Sequence, residues 1–503
     1  MLPIEQFPVL VVAISLLSAL TILLAGVINK KSCFYISLAT ITFQFILSIF
    51  ILRHVLTVGT IHYWLGGWRP PWGIEYVVDA LNAYVLIIIL FMSLLAAIYS
   101  KRSVEHEIEE RKLVTFYTLF QLLVTGLAGV VVTGDLFNMY VLLEVCSLAA
   151  YALIAAAGGR ALKASYNYLV MGAIGVCFYL LGIAFLYSVT GTLNMGDMRL
   201  LLPALYGNKG VQLAFVFILI GLGIKSAFFP LHTWQPDAYT YAPSAITVII
   251  STAMAKASIY ALIRIIFSVF TVDFITLFAP IADIISWVAA IAMIFGSILA
   301  IAQFNLKRML AYSSIANIGY IMLGVGLSPS TTLGLTPALM HILNHALMKG
   351  CLFMAACGFI YKADLRDIRD LVGLARRMPY TCFAFLLAAL SMIGFPPSVG
   401  FVTKLYLIFA ALDAGKYIFI AVIFFSTLLM IVYFWHVIEI MYIRVEESGG
   451  KEISVTEAPR SMFIPGLVLA VLCFVVGIIW LIGTPMPLMD AINSGLGLGG
   501  VVP

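Results

Sequence analysis

The sequence predicts an all-α polytopic membrane protein of about fourteen transmembrane helices, two of them broken. Three observations carry this. Of the 503 residues, 63% are hydrophobic and only 10% charged, whereas soluble domains are about half apolar and about a quarter charged. Apolar runs of about 20 residues, the length that crosses a bilayer core, recur along the whole chain. Lysine and arginine crowd alternate connections, as they do when those connections face the cytoplasm. A nucleic-acid binder is excluded, because the net charge of +5 is spread between spans and not gathered on one face.

The spans lie near 8–28, 33–53, 78–99, 113–133, 136–157, 166–190, 211–229, 244–267, 280–301, 309–327, 337–360, 379–411, 417–443 and 462–483. The first run, Pro8 to Val27, leads into Asn29-Lys30-Lys31 and not into a small-residue cleavage site, so it is kept as a span. The run 379–411 is too long for one straight helix and holds Gly394, Pro396, Pro397 and Gly400, so it is expected to break. The stretch from Gly221 to Lys256 is expected to break as well. Lys225 stands five residues before Pro230, and Pro236 and Pro243 follow. Proline removes a backbone donor and clashes with the preceding turn.

Odd-numbered connections hold most of the basic residues, among them Lys30, Lys31, Lys101, Arg102, Arg111, Lys112, Arg160, Lys163, Lys307, Arg308, Arg376 and Arg377. Even-numbered connections and span ends hold Arg53, Arg69, Arg199, Lys209, Arg264 and Lys416. The asymmetry places odd connections in the cytoplasm and both termini outside, in a multi-pass protein of the cell membrane. Val104 to Lys112 is expected as a solvated cytoplasmic loop, Trp64 to Gly73 as a turn-rich extracytoplasmic loop, and Glu446 to Glu457 as a cytoplasmic link. The organisation expected is three N-terminal helices (1–112), a five-helix unit (113–270), a second five-helix unit (271–445) and a last helix (446–503). Each unit carries one broken helix. An offset of five spans makes the two units inverted repeats.

The seven cysteines, Cys33, Cys146, Cys177, Cys351, Cys357, Cys382 and Cys473, lie in or beside apolar runs, with no Cys-x-x-Cys pair. No iron–sulfur, haem or zinc site, and no cofactor, is expected. The chemistry is sought instead in amines where lipid forbids them. Lys225, Lys256, Lys349 and Lys404 fall inside spans, and a lysine at a helix centre costs about 2.5–3.5 kcal/mol on insertion scales. Burial disfavours the charged form of an amine and a nearby carboxylate favours it, so such a group can exchange protons when its partner moves. Glu144, mid-span, is the expected partner of Lys225; the alternative is an ion pair that only fixes packing. Lys256 lies among Ser251, Thr252 and Ser258 and is read as a relay between the halves, against snorkelling to an interface. His341, His345 and Lys349 recur every four residues and form one slowly drifting stripe, suited to handing on protons. Metal binding by the two histidines is the competing reading, but no HExxH glutamate and no third ligand accompany them. Lys404, beside the second break, is read as a terminal exchange site, against an interfacial lysine. His436 and Glu439, one turn apart, are secondary candidates with His232 and Asp237. Asp135 and Asp237 are expected as caps or loop anchors.

Five motifs, TGDLFNMYVLLEVCSLAAYALI, KSAFFPLHTWQPDAYTYAPSAI, LKRMLAYSSIANIGYI, HILNHALMKG and GFPPSVGFVTKL, resemble the antiporter-like subunits of Mrp-type cation/proton antiporters, membrane-bound hydrogenases and respiratory complex I. The resemblance runs from about 115 to 405 and is strongest to the D-type Mrp protein and the lysine-bearing members. It implies a fourteen-helix fold with two inverted five-helix repeats, a Glu144–Lys225 pair, a bridging Lys256, a His341/His345/Lys349 helix and an exit residue at Lys404. Tyr239 departs from the histidine often found after Pro-Asp-Ala, so no proton role is assigned there. Neither the lateral helix of one complex I subunit nor the extension of the large Mrp subunit is expected after the last span. The function expected is an ion-translocating subunit, for protons or for cation/proton antiport with Na⁺, among other membrane subunits. A proton-pumping arm of a redox-driven complex and a non-conducting scaffold are the alternatives.

Overall fold

The computed structural model describes residues 3–278, 280–444, 456–484 and 486–498. Its helices are α1 Phe7–Ile28, α2 Ser32–Thr57, α3 Ala80–Glu107, α4 Leu113–Val132, α5 Leu136–Ala155, α6 Arg160–Thr190, α7 Met195–Leu201, α8 Lys209–Lys225, α9 Gln235–Tyr241, α10 Ser244–Ile249, α11 Ala255–Arg264, the single turn α12 Thr271–Asp273, α13 Ile281–Ile301, α14 Leu306–Leu327, α15 Thr336–Ala363, α16 Pro379–Ile393, α17 Val399–Asp413, α18 Ile418–Tyr442, α19 Arg460–Leu481 and α20 Met486–Gly495. Among the described residues, 12 helices are long and apolar enough to cross a membrane. Beside them stand two broken crossings, α8 with α9 and α16 with α17. This is the expected plan of about fourteen crossings, two of them interrupted.

The helices sort into an inner and an outer group. Over the most apolar 18 residues of each span, every residue of Ser244–Val269 is buried and 94% of those in α14 and α15, against 33% in α1 and 39% in α2, α6, α18 and α19. Lipid tails are as apolar as leucine, so inner contacts depend on close packing of small residues. A Cβ added at Gly296 of α13 would stand 2.7 Å from the Ala316 nitrogen of α14, and one at Gly319 would stand 2.9 Å from the Ala289 oxygen. The two backbones meet there because neither residue has a side chain.

Each break has its own chemistry. Helix α8 ends at Lys225, Ala227 takes a left-handed backbone (φ 54°), and Pro236 opens α9. The Ile224 carbonyl, which has lost its regular helical partner, accepts from the Ala227 nitrogen at 3.1 Å and from the Trp234 indole at 2.9 Å. Helix α16 ends at Gly394 (φ 98°), a conformation open to glycine at low cost. The Lys404 ammonium takes the Met392 and Ile393 carbonyls there, at 3.0 and 2.7 Å. In lipid, every freed backbone group requires such a partner.

Some features differ from the sequence reading. The loop around Trp64–Gly73 is flanked by a small hairpin, with β1 (Ile61–Trp64) antiparallel to β2 (Glu75–Val78). Helix α3 runs on to Glu107, so Val104–Lys112 is not one solvated loop: Val104 is buried, and Glu107 accepts from the Ser244 nitrogen at the start of α10 at 2.7 Å. Arg264 and Lys307 are buried as well, not set in open connections. Arg264 pairs with Asp79, the capping residue of α3, and Lys307 donates to the Ala242 carbonyl after α9 at 2.9 Å. A long cationic side chain is tolerated inside when a carboxylate or a freed carbonyl meets it. Asp135 is the expected cap, accepting from Asn138 at 2.7 Å. Most of the expected link Glu446–Glu457, with Lys451, lies outside the described residues.

Candidate functional site

Helix α5 presents Glu144, Ser147 and Tyr151 at spacings of three and seven residues, which is one helical face. All three meet Lys225, the last residue of α8. Its ammonium lies 3.0 Å from Glu144 Oε1, 2.8 Å from Ser147 Oγ and 3.4 Å from Tyr151 Oη. The lysine side chain is 2% exposed and the glutamate 26%, so the ammonium lies inside and the carboxylate at the edge of the packed helices. The Tyr151 ring packs edge-on to Tyr168 with centroids 4.6 Å apart. Tyr168 stacks on Trp234 at 3.8 Å and directs its hydroxyl to Met254 Sδ at 3.5 Å. These aromatic side chains join the Lys225 pair to Met254, two residues before Lys256.

Lys256 is fully buried. The helix widens to i→i+5 hydrogen bonds over Ile250–Met254, and such a π-turn releases backbone groups from the regular ladder. The Lys256 ammonium takes the Ser251 carbonyl at 2.7 Å. The lysine therefore does not snorkel. The π-turn before it packs directly on α15, where a Cβ added at Gly350, next to Lys349, would stand 3.3 Å from Thr252 Cγ2.

On α15, His341, His345 and Lys349 are all buried. The histidine rings lie 5.9 Å apart with their planes within 3° of parallel. His341 Nε2 meets Asn317 Oδ1 of α14 at 3.1 Å, and Lys349 donates to the Leu310 carbonyl at 2.8 Å. Tyr320 of α14 bridges to the second break, with its ring 5.6 Å from that of His341 and 5.6 Å from the Lys404 ammonium. The result is one buried file: Glu144, Lys225, Tyr151, Tyr168, Lys256, the α15 stripe, Tyr320 and Lys404. Among the described residues no cluster of three or more His, Cys, Asp or Glu is placed to hold a metal ion.

The secondary candidates lie off this file. His232 stacks on Phe229 in the first break, and Asp237 pairs with Arg308 at 3.1 Å. His436 and Glu439 line a crevice of about 550 Å³ with Tyr433, where Glu439 pairs with Arg444 at 3.0 Å and not with His436. A larger cavity of about 850 Å³ opens at the 240–244 break, lined by Glu107, Arg160, Lys307 and Arg308 among others.

Sequence reasoning missed Ser147, Tyr151, Asn317 and Tyr320. The first two carried a signal, their shared face with Glu144. Asn317 and Tyr320 read as ordinary residues of an apolar span, and only their neighbours on α15 and α17 single them out.

The model of the family described as "NADH:quinone oxidoreductase/Mrp antiporter, TM" matches residues 133–430. The chain is 45% identical over 427 residues to NADH-quinone oxidoreductase subunit N of Desulforudis audaxviator strain MP104C, covering 83% of this chain and 84% of that one. It is 32% identical over 429 residues to the D-type Na(+)/H(+) antiporter protein of Bacillus subtilis strain 168, covering 85% of each. Among solved structures it resembles a chain of the membrane-bound sulfane sulfur reductase, an archaeal respiratory membrane complex, with a TM-score of 0.87, 30% identity and 98% of both chains covered.

Proposed function

The chain belongs to the NADH:quinone oxidoreductase/Mrp antiporter transmembrane family, and we propose that it conducts protons along the buried file from Glu144 to Lys404. It is an antiporter-like, multi-pass membrane subunit of the kind found in Mrp, complex I and related complexes. One observation carries the relay reading: four lysines inside spans are all buried, and each meets a partner that accepts from its ammonium. Lipid exposure would leave such amines unpaired. Glu144 tunes the proton affinity of Lys225, Lys256 passes the proton between the halves, the α15 stripe carries it on, and Lys404 exchanges it at the far side. Steps longer than a hydrogen bond require bridging water. Buried polar atoms without a protein partner, His345 Nδ1 and Nε2, His341 Nδ1 and Asn344 Oδ1, lie on the same helix and suit it.

The two broken helices belong to two inverted five-helix units, 113–270 and 271–445, with Lys225 and Lys404 in equivalent places. Odd connections face the cytoplasm and both termini lie outside. Within the family, the redox-driven reading is favoured over a stand-alone Na⁺/H⁺ antiporter by the stronger likeness to an NADH-quinone oxidoreductase subunit than to an antiporter subunit. Electron chemistry then belongs to partner subunits, and His436, Glu439, His232 and Asp237 serve as ancillary polar contacts. The test is proton transport in inverted membrane vesicles that contain the assembled complex. Lys256→Ala and Lys349→Ala should each abolish it with assembly intact. Wild-type rates in both variants would leave only the scaffold reading.

A further inference from the structure

We propose that Asn317 is a positioning residue that fixes the tautomer of His341, so that the neutral imidazole carries its proton on Nε2 and offers only Nδ1 as an acceptor. The amide sets this choice. Asn317 Nδ2 lies 2.7 Å from the Ser313 carbonyl oxygen. A carbonyl only accepts, so the amide nitrogen must face it; the flipped amide would set oxygen against oxygen. Oδ1 is then the atom 3.1 Å from His341 Nε2. An amide oxygen also only accepts, so Nε2 must donate. A neutral imidazole has one N–H, which leaves Nδ1 bare, and Nδ1 is buried with no partner among the described residues.

The surroundings hold this arrangement. Ser313 is itself engaged, since its hydroxyl accepts from Tyr433 at 3.0 Å. The ring is flanked by His345, parallel to it, and by Tyr320. Beyond Tyr320 stands the Lys404 ammonium of α17, 5.6 Å from the phenol ring. A proton arriving on the Nδ1 lone pair gives an imidazolium with both nitrogens protonated. Loss of that same proton restores the starting tautomer, whereas loss from Nε2 would set a nitrogen lone pair against the Asn317 oxygen. His341 therefore takes and returns its proton through one nitrogen, Nδ1, and does not pass it through the ring to Asn317.

The consequence for transport rests on the relay reading above; the tautomer rests on geometry alone. The experiment uses the assembled complex in membranes with ¹⁵N-labelled histidine, recorded at alkaline pH, with His341→Gln to assign the His341 signals. The wild type should show a protonated Nε2 and an unprotonated Nδ1. Asn317→Leu should mix the tautomers and slow proton transport by about 3- to 10-fold, the worth of one hydrogen bond. A wild-type spectrum with the proton on Nδ1 overturns the inference without any variant, as does an unchanged tautomer in Asn317→Leu. Lys225→Ala separates the two claims. If it still transports, the relay reading fails and the tautomer result stands. If it is inactive while Asn317→Leu mixes tautomers at full rate, the positioning role fails.

Discussion

Removing Glu144 alone should destabilise the protein, removing Glu144 and Lys225 together should leave it near wild-type stability, and both should abolish transport. At 3.0 Å two unit charges attract by about 5–6 kcal/mol at an effective dielectric of about 20. Desolvation offsets part of this, so the net worth of the pair is smaller. The asymmetry is the useful quantity. Glu144→Gln leaves an ammonium that is 2% exposed with only neutral groups beside it, Ser147 and Tyr151 among them, and breaking a buried pair from one side costs about 3–5 kcal/mol. Lys225→Gln leaves a carboxylate that is 26% exposed, so its cost should fall at the low end of that range. The double variant leaves no uncompensated charge and should recover most of the loss, so the two single costs should be far from additive. The assay is thermal unfolding of the purified complex for all four proteins, beside proton transport in vesicles. All three variants should be inactive while the double variant melts near the wild type. A double variant that transports normally would refute the claim that the pair handles protons and leave it as packing. Singles that melt like the wild type would refute the pair itself.

Three further outcomes follow from other contacts. Lys404→Met strips the donor from the Met392 and Ile393 carbonyls and should lower vesicle transport by about tenfold or more, whereas Lys404→Arg should keep the helix end capped and melt close to the wild type. Asp79→Asn leaves Arg264, which is buried, without its carboxylate and should reduce the yield of assembled protein through a loss of about 3–5 kcal/mol; adding Arg264→Gln should restore the yield, as read by blue-native gels. In the 364–371 connection, the Arg369 guanidinium holds the Asp367 carboxyl below its usual range. A depressed carboxyl contributes stability above its unfolded value of about 3.9 that is lost as pH falls through the folded value. Amide protection there should be flat from about pH 7 to 5 and decline only below about pH 4.

The breaks at 226–234 and 394–398 were legible because proline and glycine act on their own neighbours. The four lysines were legible because an amine in an apolar run is anomalous wherever the run packs. The hairpin at 61–78 was not legible, since four-residue strands are too short to show alternation against aromatic and turn residues. Nor was the π-turn at Ile250–Met254, which depends on the neighbours of a helix and not on its sequence. Arg264 and Lys307 were placed in open connections because their positions near span ends fit a loop equally well. Their burial depends on Asp79, 185 residues away, and on the carbonyl of Ala242.

By itself, then, the chain determined that it crosses a membrane, roughly where, where two crossings break and which charged groups lie inside. Hydropathy and proline chemistry are local quantities, and the bilayer reads them one segment at a time. Only the tertiary structure decided the partners: Glu144 with Lys225, Asn317 with His341, Tyr320 between His341 and Lys404. Those choices depend on the rotation of each helix against its neighbours, which in lipid is set by the fit of small residues such as Gly296 and Gly319 and not by hydrophobicity.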